Sequence, residues 1–199
     1  MEYKGFEIVI EQDDCASLPR EWDNLGTILT KDSFNEVDNY IVEYVQEDVR
    51  DGRDVAEALE EHFGEIAVVL PIYKYQHSTV AYSTRSFVGR AHHAQWDSGV
   101  CGFIFVTKET ARKEYGYKNV AQKLKDKIAK VLEGEVEEIS QYASGDVWGY
   151  DIPELDDSCW GFYGYDYCLQ EAKSIIDAHI KRTNAAPETR QPVMELLGA

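Results

Sequence analysis

Acid–base chemistry at neutral pH needs an imidazole or a carboxyl group held beside a partner that sets its proton. This sequence offers those residue types in two loops rich in tryptophan. One, 19–26, contains Trp22, Asp23 and Asn24; the other, 95–99, contains Trp96, Asp97 and Ser98. With His77 and Asp97 as acid and base, and a lysine or arginine holding phosphate, the two loops would make a site that binds or degrades a nucleotide-like ligand. The same residues have a plainer use, because loop tryptophans plug cores while Asp and Asn fasten turns.

More specific signatures do not occur. The sequence has no P-loop, no GxGxxG, no HExxH and no EF-hand loop. Trp96 and Val100 stand where a GxSxG elbow around Ser98 would require glycine. Cys159 with His77 or His179 is one arbitrary pairing among four cysteines and five histidines. His92-His93 with Asp97, and Asp13-Asp14, are metal-ligand types, but sequence neighbours seldom turn both side chains to one ion. No CxxC is present, so Cys15, Cys101, Cys159 and Cys168 read as free thiols, most of them packing residues. No catalytic residue, metal or cofactor is assigned on these grounds, and the chain reads more as a binding protein than as an enzyme.

Charge is the stronger signal. The 199 residues include 37 Asp and Glu against 20 Lys and Arg, a formal net charge of −17. Such a chain is repelled by nucleic-acid backbones and anionic membranes, which disfavours direct binding to either. Residues 32–66 hold twelve acids and two bases, and residues 131–166 hold ten acids and no base. Carboxylates four apart on a helix, such as Glu43/Glu47 and Glu57/Glu61, lie about 5–6 Å from each other, a spacing of the same order as neighbouring phosphates on a strand. Glu43, Glu47, Glu57, Glu60 and Glu61, with Glu135, Glu137 and Glu138 as a second patch, are therefore the expected partner-binding residues. Whether the two patches join depends on helix packing. Between them, residues 108–130 carry eight bases and three acids. That segment either offsets the repulsion internally or, through Lys118, Lys123, Lys127 and Lys130, holds phosphate.

These residues need elements to position them. Phe6–Ile10 reads as an opening strand and residues 11–31 as a long irregular loop. Val37, Tyr40, Ile41, Tyr44, Val45 and Val49 fall at helical spacing, and Val55, Ala58, Leu59 and Phe63 repeat it up to Gly64. Together they predict an acidic helical hairpin, or one helix broken near Gly52. A strand hairpin follows over 66–83, turning at His77-Ser78; then come a polar loop to about 99, a strand at 103–107 and a long helix marked by Val120 to Leu132. Two short aromatic strands at 146–150 and 159–163 precede a last helix over 167–180. The expectation is a single α+β domain over 1–182, with a mainly antiparallel four- to six-stranded sheet and about four helices, and a C-terminal arm over 183–199. No apolar run approaches membrane-spanning length and the N-terminus lacks a signal-peptide layout, which points to the cytoplasm.

The runs PREWDNLGT at 19–27, WDSGVCGFIFV at 96–106 and DSCWGFYG at 157–164 resemble a family of small acidic proteins encoded by phages and plasmids. The likeness covers most of positions 1–165. Where the family pattern has Cys-Pro before Trp-Asp-Ser-Gly, this chain has Ala94-Gln95. The resemblance implies a mobile-element setting, in which acidic proteins act against host defence, and it implies no mechanism.

Three readings follow. The first is an acidic accessory or counter-defence protein that binds and inhibits a host nucleic-acid-handling or immune protein by nucleic-acid mimicry. The second is a nucleotide-like ligand site built from Trp22, Asp23, Asn24, His77, Trp96, Asp97 and Ser98. The third is an oligomeric assembly factor, with the aromatic hairpin around Trp160 joining copies of the chain.

Overall fold

The computed structural model describes residues 1–185. Its strands are β1 (Glu2–Tyr3), β2 (Phe6–Glu7), β3 (Val9–Gln12), β4 (Thr27–Thr30), β5 (Ile66–Gln76), β6 (Val80–Ser83), β7 (Ser98–Thr107), β8 (Val147–Ile152) and β9 (Asp157–Tyr163). Its helices are α1 (Asn39–Arg50), α2 (Val55–Phe63), α3 (Ala94–Asp97), α4 (Lys108–Tyr115), α5 (Gln122–Ser144) and α6 (Tyr165–Ala185). The architecture is α+β, with antiparallel sheets of two, three and four strands. Within the span expected as one domain, the contacts of the described residues gather into two compact units: Met1–Glu11 with the described residues from Trp148, and Gln12–Val147.

The larger unit is organised by β7. Its residues 102–106 are buried, as suits a strand with neighbours on both sides and helices on both faces. β4 and β5 flank it and β6 completes the order β4-β7-β5-β6, with Thr27 opposite Phe105, Tyr75 opposite Ser98 and Gln76 opposite Val80. Side chains alternate across a strand. Phe103 and Phe105 accordingly pack with Leu29 against Ile41, Val42 and Val45 of α1 and Ala58 and Leu59 of α2. Ile104 and Val106 pack with Ile28 and Ile72 against Leu124, Ile128, Leu132, Val136 and Ile139 of α5. The helical hairpin and α5 thus cover opposite faces of one sheet.

The hairpin forms as its pattern predicts. Asp54 accepts the Ala56 and Glu57 amides at the start of α2, and Gly64 closes that helix. Several elements depart from expectation. β4 lies inside the stretch read as loop, because four residues between Gly26 and Lys31 suffice once β7 pairs with them. α3 falls within the loop expected up to Gly99, and α4 occupies a basic segment whose local pattern predicts no element. α5 runs twelve residues past Leu132, since Val136 and Ile139 prolong its buried stripe.

The smaller unit holds the β1–β2 hairpin, the order β3-β8-β9 and α6 around Ile8, Tyr150, Ile152, Cys168, Ala172 and Ile176. Trp160 lies flat on Gly149, where an added Cβ would sit 2.2 Å from the indole. Residues 183–185 of the expected arm continue α6, and the remainder of that arm lies outside the described residues. No helix among the described residues is long and apolar enough to cross a membrane.

Candidate functional sites: an acidic helical face and a His–Asp pair

α1 and α2 bury one stripe each and turn the rest outward. Glu43 and Glu47 on α1, and Glu57, Glu60 and Glu61 on α2, are all exposed, as are Tyr40 and Tyr44. Two of the five have local duties. Glu60 accepts the Ile66 amide at 2.9 Å, which ties the end of α2 to β5. Glu61 accepts Arg53 Nη2 at 2.5 Å and the Tyr44 hydroxyl at 2.9 Å, while Arg53 Nη1 reaches Asp48 at 2.6 Å. These hydrogen bonds, the one from Arg53 foremost, hold the Glu61 carboxyl below its ordinary range. Glu43, Glu47 and Glu57 make no ion pair among the described residues, so their charge faces solvent.

The second acidic patch does not persist as read. Glu135 is buried, 8% exposed, and its carboxylate is occupied. It accepts the Leu25 amide at 2.7 Å, the Gly26 amide at 3.1 Å and Arg20 Nη1 at 2.8 Å. Arg20 also donates to Glu36 at 2.7 and 2.9 Å and to the Gly26 carbonyl at 2.5 Å. Burial works against the charge on Arg20, but its bonds to Glu36 and Glu135 raise its pKa above the ordinary value. Glu135 thus fastens the 19–27 segment, and its carboxylate is taken up by that contact. Glu137 is exposed; Glu138 is half-buried, and burial together with the Glu135 charge raises its carboxyl above the ordinary range. Both lie on α5, across the sheet from α1 and α2, so the two acidic patches are not one surface. Of the other acids of that run, Glu133 and Asp146 lie in the larger unit and the five from Asp151 to Asp166 in the smaller.

The expected ligand site is likewise divided. Trp22, Asp23 and Asn24 precede β4, at the Phe105 end of β7. Asn24 Nδ2 donates to the carbonyls of Pro19 and Trp22 at 2.9 and 2.8 Å, a turn-fastening role. No side chain fits at Gly26, where an added Cβ would lie 2.6 Å from Leu132 and 2.7 Å from Ile104. His77, Trp96, Asp97 and Ser98 gather at the opposite end of β7, where Tyr75 pairs with Ser98. Seven residues of strand, roughly 23 Å at the usual rise, separate the two groups.

His77 and Asp97, far apart in sequence, do meet. The turn after β5 carries His77, and Asp97 ends α3, which follows His93 in a left-handed conformation at φ 55°. His77 Nδ1 lies 2.9 Å from Asp97 Oδ2. The rings of His92 and His93 stand 6.5 and 6.2 Å from that of His77, and the Tyr75 hydroxyl donates to the His92 carbonyl at 3.0 Å. A carboxylate on Nδ1 leaves Nε2 for proton transfer. Ser98 Oγ donates to the Ala94 carbonyl at 2.5 Å, so it is not poised as a nucleophile toward His77. Trp96 is 81% exposed beside the pair. Among the described residues, no three His, Cys, Asp or Glu converge as metal ligands. Burial pushes the Cys101 thiol up to about 12, which makes it a poor nucleophile.

Arg20 and Glu36 were not among the expected residues, although they anchor the PREWDNLGT segment. The one local signal is Glu135 itself, an acid at an inward position of the α5 stripe that requires a cationic partner. Comparison with protein-family models, with curated proteins and with solved structures finds no match to this chain.

Proposed function

We propose that this protein is a phage-type accessory or counter-defence factor that binds and inhibits a host nucleic-acid-handling or immune protein in the host cytoplasm. The outer face of α1 and α2 takes the place of a nucleic-acid backbone in this reading. The observation that carries it is the set Glu43, Glu47 and Glu57: exposed, without ion pairs among the described residues, and mounted on two helices packed to a sheet. A cleft that recognises phosphates gains most of its affinity from charge, and a fixed array of carboxylates draws on the same source. Tyr40 and Tyr44, 65% and 41% exposed, add the amphipathic rings that interfaces favour. The test is the triple variant Glu43→Lys, Glu47→Lys, Glu57→Lys. It should keep the wild-type circular dichroism and melting temperature and lose salt-sensitive capture of a basic, nucleic-acid-binding partner. Capture that survives the reversal, or that ignores salt, would remove the acidic face from the account.

A second reading rests on the 2.9 Å contact of His77 with Asp97. Here the pair, with Trp96 beside it, serves proton transfer on a nucleotide-like ligand. Stabilisation by nucleotides in a thermal-shift assay, abolished by His77→Ala, would support it; an unchanged response in that variant would exclude it.

A further inference from the structure

The basic segment 108–130 lies within the larger unit, yet the structure gives it almost no internal neutralising role. Of its eight basic residues, only Lys108 makes an ion pair among the described residues, to Glu65 at 2.9 Å. Lys123, Lys127 and Lys130 occupy successive turns on the exposed side of α5. They border an open cavity of about 590 Å³ that Tyr117 and Asn119 also line. That volume lies within the range of small-molecule sites. Lys127 Nζ sits 4.6 Å from the centre of the Tyr115 ring, which aligns its stem without neutralising its charge. Tyr117 is 60% exposed at the rim. The single carboxylate in the lining, Asp126, accepts Gln122 Nε2 at 2.8 Å. No side chain caps the start of α5.

We propose that this cavity is a nucleoside-polyphosphate site, with Lys123, Lys127 and Lys130 taking the phosphates and Tyr117 stacking on the base. Three flexible ammonium groups around one hollow match a chain of phosphates, whose several oxygens each accept a charge-assisted hydrogen bond. In a chain of net charge −17, lysines left without carboxylate partners around a cavity are better explained by a bound anion than by internal charge balance. The site uses no residue of the acidic face or of the His77–Asp97 pair, so it stands or falls independently of both readings above.

The full chain is titrated calorimetrically with ATP and, separately, with inorganic tripolyphosphate. Both should bind. Lys123→Gln with Lys127→Gln should weaken both by about tenfold or more, the order expected for losing charged hydrogen bonds. Tyr117→Ala should weaken ATP alone, by about fivefold or more. Lys181→Gln, a neutralisation outside the cavity, should change neither. These lysines are exposed, and unchanged circular dichroism will verify that the variants fold. Absence of binding by both probes, or binding indifferent to the lysine pair, overturns the site. ATP binding that responds to His77→Ala instead of the lysines overturns it in favour of the His–Asp pair. Equal binding of both probes with no effect of Tyr117→Ala overturns the nucleoside assignment.

Discussion

Replacing Glu135 with alanine should unfold the 19–27 segment from its anchor, and the expected cost can be worked from the contacts. The carboxylate accepts three groups: the Leu25 amide at 2.7 Å, the Gly26 amide at 3.1 Å and Arg20 Nη1 at 2.8 Å. The side chains of Arg20 and Glu135 are 4% and 9% exposed, so solvent does little to replace what is lost. Removing one member of a buried pair typically costs about 3–5 kcal/mol. Arg20 keeps Glu36 at 2.7 Å, which places the expectation near the lower end, about 3 kcal/mol. Glu135→Gln retains an acceptor for the two amides and loses the ion pair, so its cost should be smaller, about 1–2 kcal/mol. Urea unfolding followed by circular dichroism reads both variants against wild type, with an unchanged slope marking a change in stability alone. A loss under about 1 kcal/mol for Glu135→Ala would mean that the network contributes no more than a surface ion pair and does not anchor the segment.

Other expectations concern single groups. Cys15 and Cys159 are exposed while Cys168 is buried and Cys101 half-buried, so a disulfide reagent should titrate two thiols quickly in the native chain and the other two only after unfolding. Burial raises Cys101 from 9.0 to about 12; the unfolded thiol therefore ionises first, and stability should fall as pH rises from about 9 toward about 12. Urea midpoints across that window should decline, and part of the decline should vanish in Cys101→Ala. Gly26→Ala forces a methyl between Leu132 and the fully buried Ile104 and should cost about 1–3 kcal/mol in the same unfolding assay.

The parts of the fold that could be read from one sequence were those governed by local pattern. Ile41, Val45, Ala58 and Leu59 mark the buried sides of α1 and α2, Gly64 marks the end of α2, and His77 falls in the turn between β5 and β6. β4 is not legible locally although Thr27-Ile28-Leu29-Thr30 has strand composition, because it is only four residues long and depends on pairing with β7. The burial of Glu135 was legible in principle. Position 135 continues the stripe through Ile128, Leu132 and Ile139 at spacings of four, three and four, where an acid is inward-facing and requires a partner. What no local pattern contains is register. The pairing of Thr27 with Phe105 and of Tyr75 with Ser98 places the two Trp-Asp loops at opposite ends of β7, yet brings His77 to Asp97.

Site-specific photocrosslinking tests whether the α1–α2 face binds a protein built for nucleic acid. A photoreactive residue replaces Glu47 on α1 or, as the comparison, Glu137 on α5, both exposed but on helices covering opposite faces of the sheet. In host lysate, a basic protein should crosslink from position 47 and none from position 137, with the crosslink displaced by duplex DNA and by added salt. Equal crosslinking from both positions, or a crosslink that DNA and salt leave intact, would contradict binding through that face.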